Sequence, residues 1–205
     1  SRLLIGSDNG FYYSDTEGQI LNPTTGLENA NQIKRYVWVG NDIFVLVQMW
    51  DSGDGRQESQ LYRSSDFGES FQFVVSFDSH NGFNPIEAPS NFDIWADRYF
   101  GGDVYVINDG SFYRVHNDEV EFLSSLNTNS SGDVLLTGGM GLNSPFFYAH
   151  VGDNIFFSNN GGNSWVNRGT SPTSWWFTIN SLGSSNINSD VVGIGGMEAF
   201  RSSNS

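Results

Sequence analysis

Ser64-Ser65-Asp66-Phe67-Gly68-Glu69-Ser70-Phe71 and Ser158-Asn159-Asn160-Gly161-Gly162-Asn163-Ser164-Trp165 share the pattern Ser-x-(Asp/Asn)-x-Gly-x-Ser-aromatic. Each follows a strand-like, aromatic-bearing run, Leu61-Tyr62-Arg63 in one case and Ile155-Phe156-Phe157 in the other. Asp and Asn side chains hydrogen-bond nearby backbone amides, Gly accepts a positive φ, and Ser hydroxyls satisfy the groups that remain. The pattern therefore reads as a self-contained clasp between two strands. The aromatic that ends it buries against a sheet, a contribution on the order of 2 kcal/mol for Phe71 or Trp165.

Weaker copies stand at Phe11-Tyr12-Tyr13-Ser14-Asp15-Thr16-Glu17-Gly18 and Ala199-Phe200-Arg201-Ser202-Ser203-Asn204-Ser205, and Phe112-Tyr113-Arg114-Val115-His116-Asn117 keeps the strand without the glycine turn. The equivalent positions Ser14, Ser64, Val115, Ser158 and Ser202 are 50, 51, 43 and 44 residues apart, a mean period of 47. A four-stranded antiparallel sheet with short turns needs about that length. Strands are expected at 35–39, 43–50, 60–65 and 70–76, at 92–97, 103–108, 111–116 and 120–124, and at 134–140, 145–151, 154–158 and 164–168. Residues 3–7, 11–14 and 19–22 supply the last three strands of a further sheet, and 175–181, 191–195 and 198–202 the first three of another. The repeats divide the chain as 1–27, 28–80, 81–127, 128–172 and 173–205, and the partial end repeats are those expected of a stretch of a longer protein.

Composition agrees with this reading and narrows the function. Of 205 residues, 38% are hydrophobic and only 16% charged, with 24 Gly, which suits frequent turns and excludes a helical bundle. A net charge of −14, with Lys34-Arg35 the only basic doublet, makes a nucleic-acid partner unexpected. No apolar run approaches the ~20 residues of a spanning helix, so membrane insertion is not expected either. With no Cys there is neither a disulfide framework nor a Cys-based zinc site, and His80, His116 and His150 lack metal-like spacing, so no cofactor is expected.

The Ser-x-Asp-x-Gly-x-Ser-aromatic stretches resemble the Asp-box, or BNR repeat, of sialidases, sortilin-type receptor domains and xyloglucan-degrading hydrolases. The resemblance implies an all-β fold, a β-propeller of four-stranded antiparallel blades with three complete and two partial blades in this chain. In that family the box joins the third and fourth strands of a blade, and its role is architectural. Carried over, that role falls on Ser14 and Gly18, on Ser64, Asp66, Gly68, Ser70 and Phe71, on Ser158, Asn160, Gly162, Ser164 and Trp165, and on Ser202 and Asn204. Arg63, Arg114 and Arg201 recur at one repeat position, which also predicts a structural use.

Antiparallel alternation places the boxes and the first-to-second strand turns on one rim, and the second-to-third turns and inter-blade links on the other. Ligands of propellers resembling this one are met on the second rim, where loops carry function. Its richest stretches are Asp51-Ser52-Gly53-Asp54-Gly55-Arg56-Gln57-Glu58 and the link Asp78 to Glu87. Trp50, Arg56, Glu58, His80 and Trp175 are the binding candidates, with tryptophans offering stacking surfaces for sugars. Asp8, Asp51, Asp54, Glu87 and Asp109 are the weaker catalytic candidates, since glycoside hydrolysis needs two carboxylates roughly 5 to 9.5 Å apart across the scissile bond. Asp8 enters because Gly6-Ser7-Asp8-Asn9-Gly10 resembles an Asp-bearing segment of xyloglucanase-like enzymes. Asp51-x-x-Asp54 falls short of a calcium loop, leaving calcium the weakest expectation. The early Arg-Ile-Pro motif that serves the sialidase arginine triad does not occur. The favoured expectation is an extracellular or cell-surface module that binds a protein or glycan through this rim. The alternatives are a glycoside hydrolase, and an assembly factor resembling the non-catalytic Asp-box propellers of photosystem assembly.

Overall fold

The computed structural model describes residues 2–7, 10–51, 56–77, 92–97, 102–108, 110–126, 134–141, 144–171, 181–184, 192–195 and 199–202, with backbone alone at 7, 31–32, 50–51, 56–57, 181, 192–195 and 199–202. These residues form five antiparallel sheets and no helix. The first holds β1 (Leu3–Ser7), β2 (Gly10–Ser14) and β3 (Asn22–Pro23). The second holds β4 (Ala30–Val39), β5 (Asp42–Asp51), β6 (Arg56–Ser64) and β7 (Gln72–Phe77). The third holds β8 (Phe92–Ala96), β9 (Val104–Asn108), β10 (Ser111–His116) and β11 (Glu119–Ser125). The fourth holds β12 (Val134–Met140), β13 (Pro145–Val151), β14 (Asn154–Ser158) and β15 (Val166–Thr170). The fifth holds β16 (Ser181–Ser184), β17 (Val192–Gly195) and β18 (Ala199–Ser202). Within every sheet the strands pair in chain order.

Three fourth-strand edges differ from expectation for one reason, β7 among them, since it starts at Gln72 rather than Ser70, whose amide is held by Asp66 Oδ1 at 2.9 Å. Residues 19–21 do not extend β3, because the Ile20 amide is bonded to Thr16 Oγ1 inside the turn at 2.9 Å. Likewise β15 starts at Val166 rather than Ser164, whose amide is held by Asn160 Oδ1 at 3.1 Å. The clasp takes two or three more residues from the fourth strand than periodicity alone assigns.

Successive first strands are neighbours, β4 beside β8, β8 beside β12 and β12 beside β16. The sheets thus stand like wedges around an axis with these strands innermost. Each apolar cluster lies between consecutive sheets: Ile43, Val45 and Phe71 against Phe11 in the first gap, Phe44 and Leu61 against Ile94 and Val104 in the second, Tyr105 and Phe112 against Phe147 in the third, Tyr148 and Phe157 with Leu182 in the fourth. A strand with a sheet on both sides needs apolar residues at every position rather than every other one. Accordingly β9, Val-Tyr-Val-Ile-Asn, is buried throughout, whereas outermost β15 is exposed throughout.

Near the axis one carboxylate ties three sheets together. Asp93 of β8 is fully buried; its Oδ1 accepts from Ile94 N at 2.9 Å, and its Oδ2 accepts from Leu136 N of β12 at 2.7 Å and pairs with Arg35 of β4 at 3.2 Å. Arg35 Nη1 also donates to Leu136 O at 3.1 Å. Burial pushes the Asp93 carboxyl upward against the opposing pull of Arg35 and the two amides.

Candidate functional site

Three turns on one rim, here the clasp rim, are built from the same bonds. Gly18, Gly68 and Gly162 donate their amides to Ser14, Ser64 and Ser158 Oγ at 2.9, 2.8 and 3.0 Å. Two residues on, Ile20, Ser70 and Ser164 donate to Thr16 Oγ1, Asp66 Oδ1 and Asn160 Oδ1 at 2.9, 2.9 and 3.1 Å. Each turn needs two consecutive positive φ values, at Glu17 (56°) and Gly18 (88°), Phe67 (60°) and Gly68 (89°), and Gly161 (72°) and Gly162 (86°). Partial burial works against ionisation of Asp66, and hydrogen bonds from the Ser70 hydroxyl and amide and the Ser64 hydroxyl outweigh it, holding the carboxyl at about 2.

The turns of the second and fourth sheets also dock on the preceding sheet. A Cβ on Gly68 would lie 2.7 Å from Leu4 Cδ2, and Phe71 meets Phe11 edge-on at 5.3 Å. Arg2 spans that gap, donating to the Asp66 carbonyl at 3.2 Å and to Glu69 Oε1 at 2.9 Å while paired with Asp15 at 2.7 Å. Its hydrogen bond holds the Asp15 carboxyl below the usual range. Gly162 lies flush on the ring of Phe112, its carbonyl accepts from Ser124 Oγ at 2.5 Å, and Trp165 Nε1 donates to the same Ser124 oxygen at 3.1 Å. The third sheet has a two-residue turn instead, with His116 paired to Glu119 and both Asn117 (50°) and Asp118 (64°) at positive φ, the signature of a type I′ hairpin. Asp118 reaches back to Arg63 of β6 at 3.1 Å, and Arg63 also pairs with Asp42 at 2.7 Å. Beside it His116 Nδ1 contacts Asp103, and Arg114 pairs with Glu121 at 2.5 Å. Burial first, and the neighbouring Asp103 charge second, raise the Tyr105 hydroxyl to about 12.

The opposite rim, the loop rim, is uneven. With Ser14, Ser64, Val115 and Ser158 superposed, β2, β10 and β14 begin at Gly10, Ser111 and Asn154, all aligning with Gln60. Strand β6 begins earlier, at Arg56, and β5 runs past Val47, where its counterparts end, as far as Asp51. Residues 48–51 and 56–59 therefore form a hairpin that extends its sheet by roughly 13 Å at about 3.3 Å per residue. Strand β4 braces it as far as Met49 and β7 as far as Ser59. At its root, Glu58 Oε2 accepts from Ser76 Oγ at 2.7 Å and from Gln60 Nε2 at 3.1 Å, and Tyr62 donates to Gln60 Oε1 at 2.9 Å. Burial, then the charge of Glu28, raises the Tyr62 hydroxyl. Glu28 itself is held low by the Gly26 amide at 2.9 Å and its own.

Of the residues singled out from sequence, Trp50, Asp51 and Arg56 are placed by their backbone on this hairpin, with Trp50 paired to Gln57 and Asp51 to Arg56. Glu58 is the one whose side chain is described, at the root. Asp8, Asp54, His80, Glu87, Asp109, Trp175 and Asn204 lie outside the described residues, and Ser202 is placed by backbone at the end of β18. Glu28, Gln60 and Ser76 were missed; for Gln60 the polar run Glu58 to Gln60 was the available signal, and for Glu28 and Ser76 there was none. Among the described residues no group of three His, Asp or Glu side chains is arranged to hold a metal ion.

Four-stranded antiparallel wedges set radially about their first strands define a β-propeller. No protein-family model matches the chain, and no curated protein matches it by sequence. Among solved structures it is similar to YCF48 from Cyanidioschyzon merolae, a β-propeller, with a TM-score of 0.58 and 11% identity over 93% of this chain and 58% of that one. The chain thus spans under two thirds of that protein, and the likeness is one of fold. Weaker likenesses are to an exo-β-1,3-galactanase from Phanerochaete chrysosporium with β-1,3-galactotriose (TM-score 0.49, 13% identity, 91% of this chain and 49% of that one) and to an ulvan lyase of a polysaccharide lyase family (TM-score 0.47, 15% identity, 95% and 58%).

Proposed function

We propose that this chain is a segment of an Asp-box propeller that binds a protein or glycan through its loop rim, as an extracellular or cell-surface module. The observation that carries the reading is the β5–β6 hairpin, which outreaches the corresponding turns of the first, third and fourth sheets and bears Trp50, Asp51, Arg56 and Glu58. The described clasps hold neighbouring sheets together on the opposite rim, so loop-rim residues are free to vary with the ligand. Acidic, cysteine-free composition suits secretion, and the proposed partners exclude nucleic acid.

Trimming the hairpin tests this. Replacing residues 50–57, which lie beyond the braced Met49–Glu58 pair, by a Gly-Asp turn like the one Gly152 and Asp153 make in the fourth sheet should leave the unfolding midpoint nearly unchanged. It should also abolish retention on whichever immobilised glycan or protein the parent chain binds; undiminished retention refutes the reading. The hydrolase alternative is checked by turnover of glucans and sialosides, with loss of activity in Asp51→Asn or Glu87→Gln as its expected signature.

A further inference from the structure

Asn160-Gly161 stands inside the fourth-sheet clasp and, of the chain's three Asn-Gly pairs, is the one whose two residues are both described. An Asn followed by Gly carries a latent reaction. The backbone nitrogen of the glycine attacks Cγ of the asparagine, the new C–N bond closes a five-membered imide, and the side-chain nitrogen leaves as ammonia with the proton of the attacking amide. Water then adds to one of the two ring carbonyls and opens the ring, either to aspartate or to isoaspartate, in which the main chain runs through the side-chain carbon. Glycine puts no Cβ in the way of the closure. The closed clasp engages both reacting groups elsewhere. Gly161 N, the nucleophile, donates to Pro145 O at 3.0 Å. Asn160 Oδ1 accepts from Ser158 Oγ at 2.9 Å and from Ser164 N at 3.1 Å, and Nδ2, the leaving group, donates to Ser164 Oγ at 2.8 Å. Closing the ring means giving up the Gly161 bond and turning the side-chain amide out of the other three, so the reaction starts from an opened clasp.

The second-sheet clasp shows how an aspartyl product would be held. Asp66 Oδ1 accepts from Ser64 Oγ at 2.7 Å and from Ser70 N at 2.9 Å, and Oδ2 accepts from Ser70 Oγ at 2.5 Å. Ser158 and Ser164 stand where Ser64 and Ser70 do, so a carboxylate at 160 needs only that the Ser164 hydroxyl turn from acceptor to donor. An isoaspartyl link instead adds a carbon to the main chain of a turn whose Gly161 and Gly162 hold positive φ and whose Gly162 lies against Phe112. We propose that Asn160 is a site of covalent self-modification: its deamidation through Gly161 is gated by opening of the fourth-sheet clasp, and the aspartyl product recloses the clasp on the pattern of Asp66 while the isoaspartyl product leaves it open. The inference is independent of what the loop rim binds.

Peptide mapping by mass spectrometry follows conversion at position 160 in the 205-residue chain at neutral pH, folded and unfolded in urea. Conversion is expected to be at least about tenfold slower in the folded chain. Ser158→Ala removes the acceptor of Gly162 N and the donor to Asn160 Oδ1, and should raise the folded-state rate at least about fivefold, with circular dichroism confirming that the variant is folded. Equal rates in the folded and unfolded parent overturn the gate, as does a folded Ser158→Ala chain that converts no faster than the parent. The first comparison needs no variant and decides the matter if Ser158→Ala fails to fold. For the products, Asn160→Asp should unfold at a denaturant midpoint no lower than the parent's, and chain enriched in isoaspartate at 160 at a lower one. A lowered midpoint for Asn160→Asp, or an unchanged one for the isoaspartyl chain, overturns the assignment of their fates.

Discussion

The second and third sheets meet through a turn that differs from the one joining the third and fourth. At the third-to-fourth gap the turn is a seven-residue clasp whose Gly162 lies against Phe112 and whose Trp165 closes the gap, fixed by Ser124 from both sides. At the second-to-third gap the turn is two residues long, and its contact with the preceding sheet is the Asp118–Arg63 ion pair. One joint is made by shape and the other by charge. An aromatic ring against a glycine tolerates no added atom, while an exposed ion pair is screened by water and salt. The two clasp-rim joints are therefore expected to differ in tolerance even though the sheets behind them are alike.

The axial contact, shared by the second, third and fourth sheets whatever their turns, sets the scale. Asp93→Ala leaves Arg35 and the Leu136 amide without their buried acceptor, and should cost about 3–5 kcal/mol in denaturant unfolding; a smaller effect than at either turn would make the rim the main fastening. Gly162→Ala should cost about 3 kcal/mol, from positive φ and from overlap with Phe112. By contrast Asn117→Gly, at the charge-based joint, should be neutral within about 0.5 kcal/mol. Equal costs at the two positions would break the distinction.

Asp66→Asn sharpens the comparison by giving the second-sheet turn the chemistry of the fourth. The amide can still accept from the Ser70 backbone, so the cost should be about 1 kcal/mol, from loss of charge-assisted bonds. Its clearer consequence is in acid. The native Asp66 carboxyl sits at about 2, below its ordinary 3.8, so its contribution is present above about pH 4 and is lost as pH falls toward 2. The stability of Asp66→Asn should fall less steeply across that window, measured by denaturant midpoint against pH. A small effect is also expected for Asp118→Asn, which retains a residue suited to positive φ and removes only the exposed pair, under about 1 kcal/mol and absent in 1 M salt.

Much of the fold was legible from the chain. Ser64 to Phe71 and Ser158 to Trp165 announce the turn, their spacing together with Ser14 and Val115 measures the sheets, and most strand ranges follow within a few residues. The site was less legible. Periodicity places Asp51 to Glu58 on the loop rim and carries β5 to within one residue of its end, yet the reach of β6 back to Arg56 depends on pairing register, because a polar residue such as Ser59 does not read as buried strand until a neighbouring strand covers it.

Local chemistry written into the chain determined the clasp: Ser, Asp or Asn, and Gly at fixed offsets satisfy the turn's own amides with no help from elsewhere. Only the tertiary structure decided which residues join one wedge to the next. Arg2 on Glu69, Gly162 on Phe112, Asp118 on Arg63 and Asp93 between Arg35 and Leu136 are 67, 50, 55, 58 and 43 residues apart, and sequence spacing carries no signal for contacts created by sheets packing around an axis.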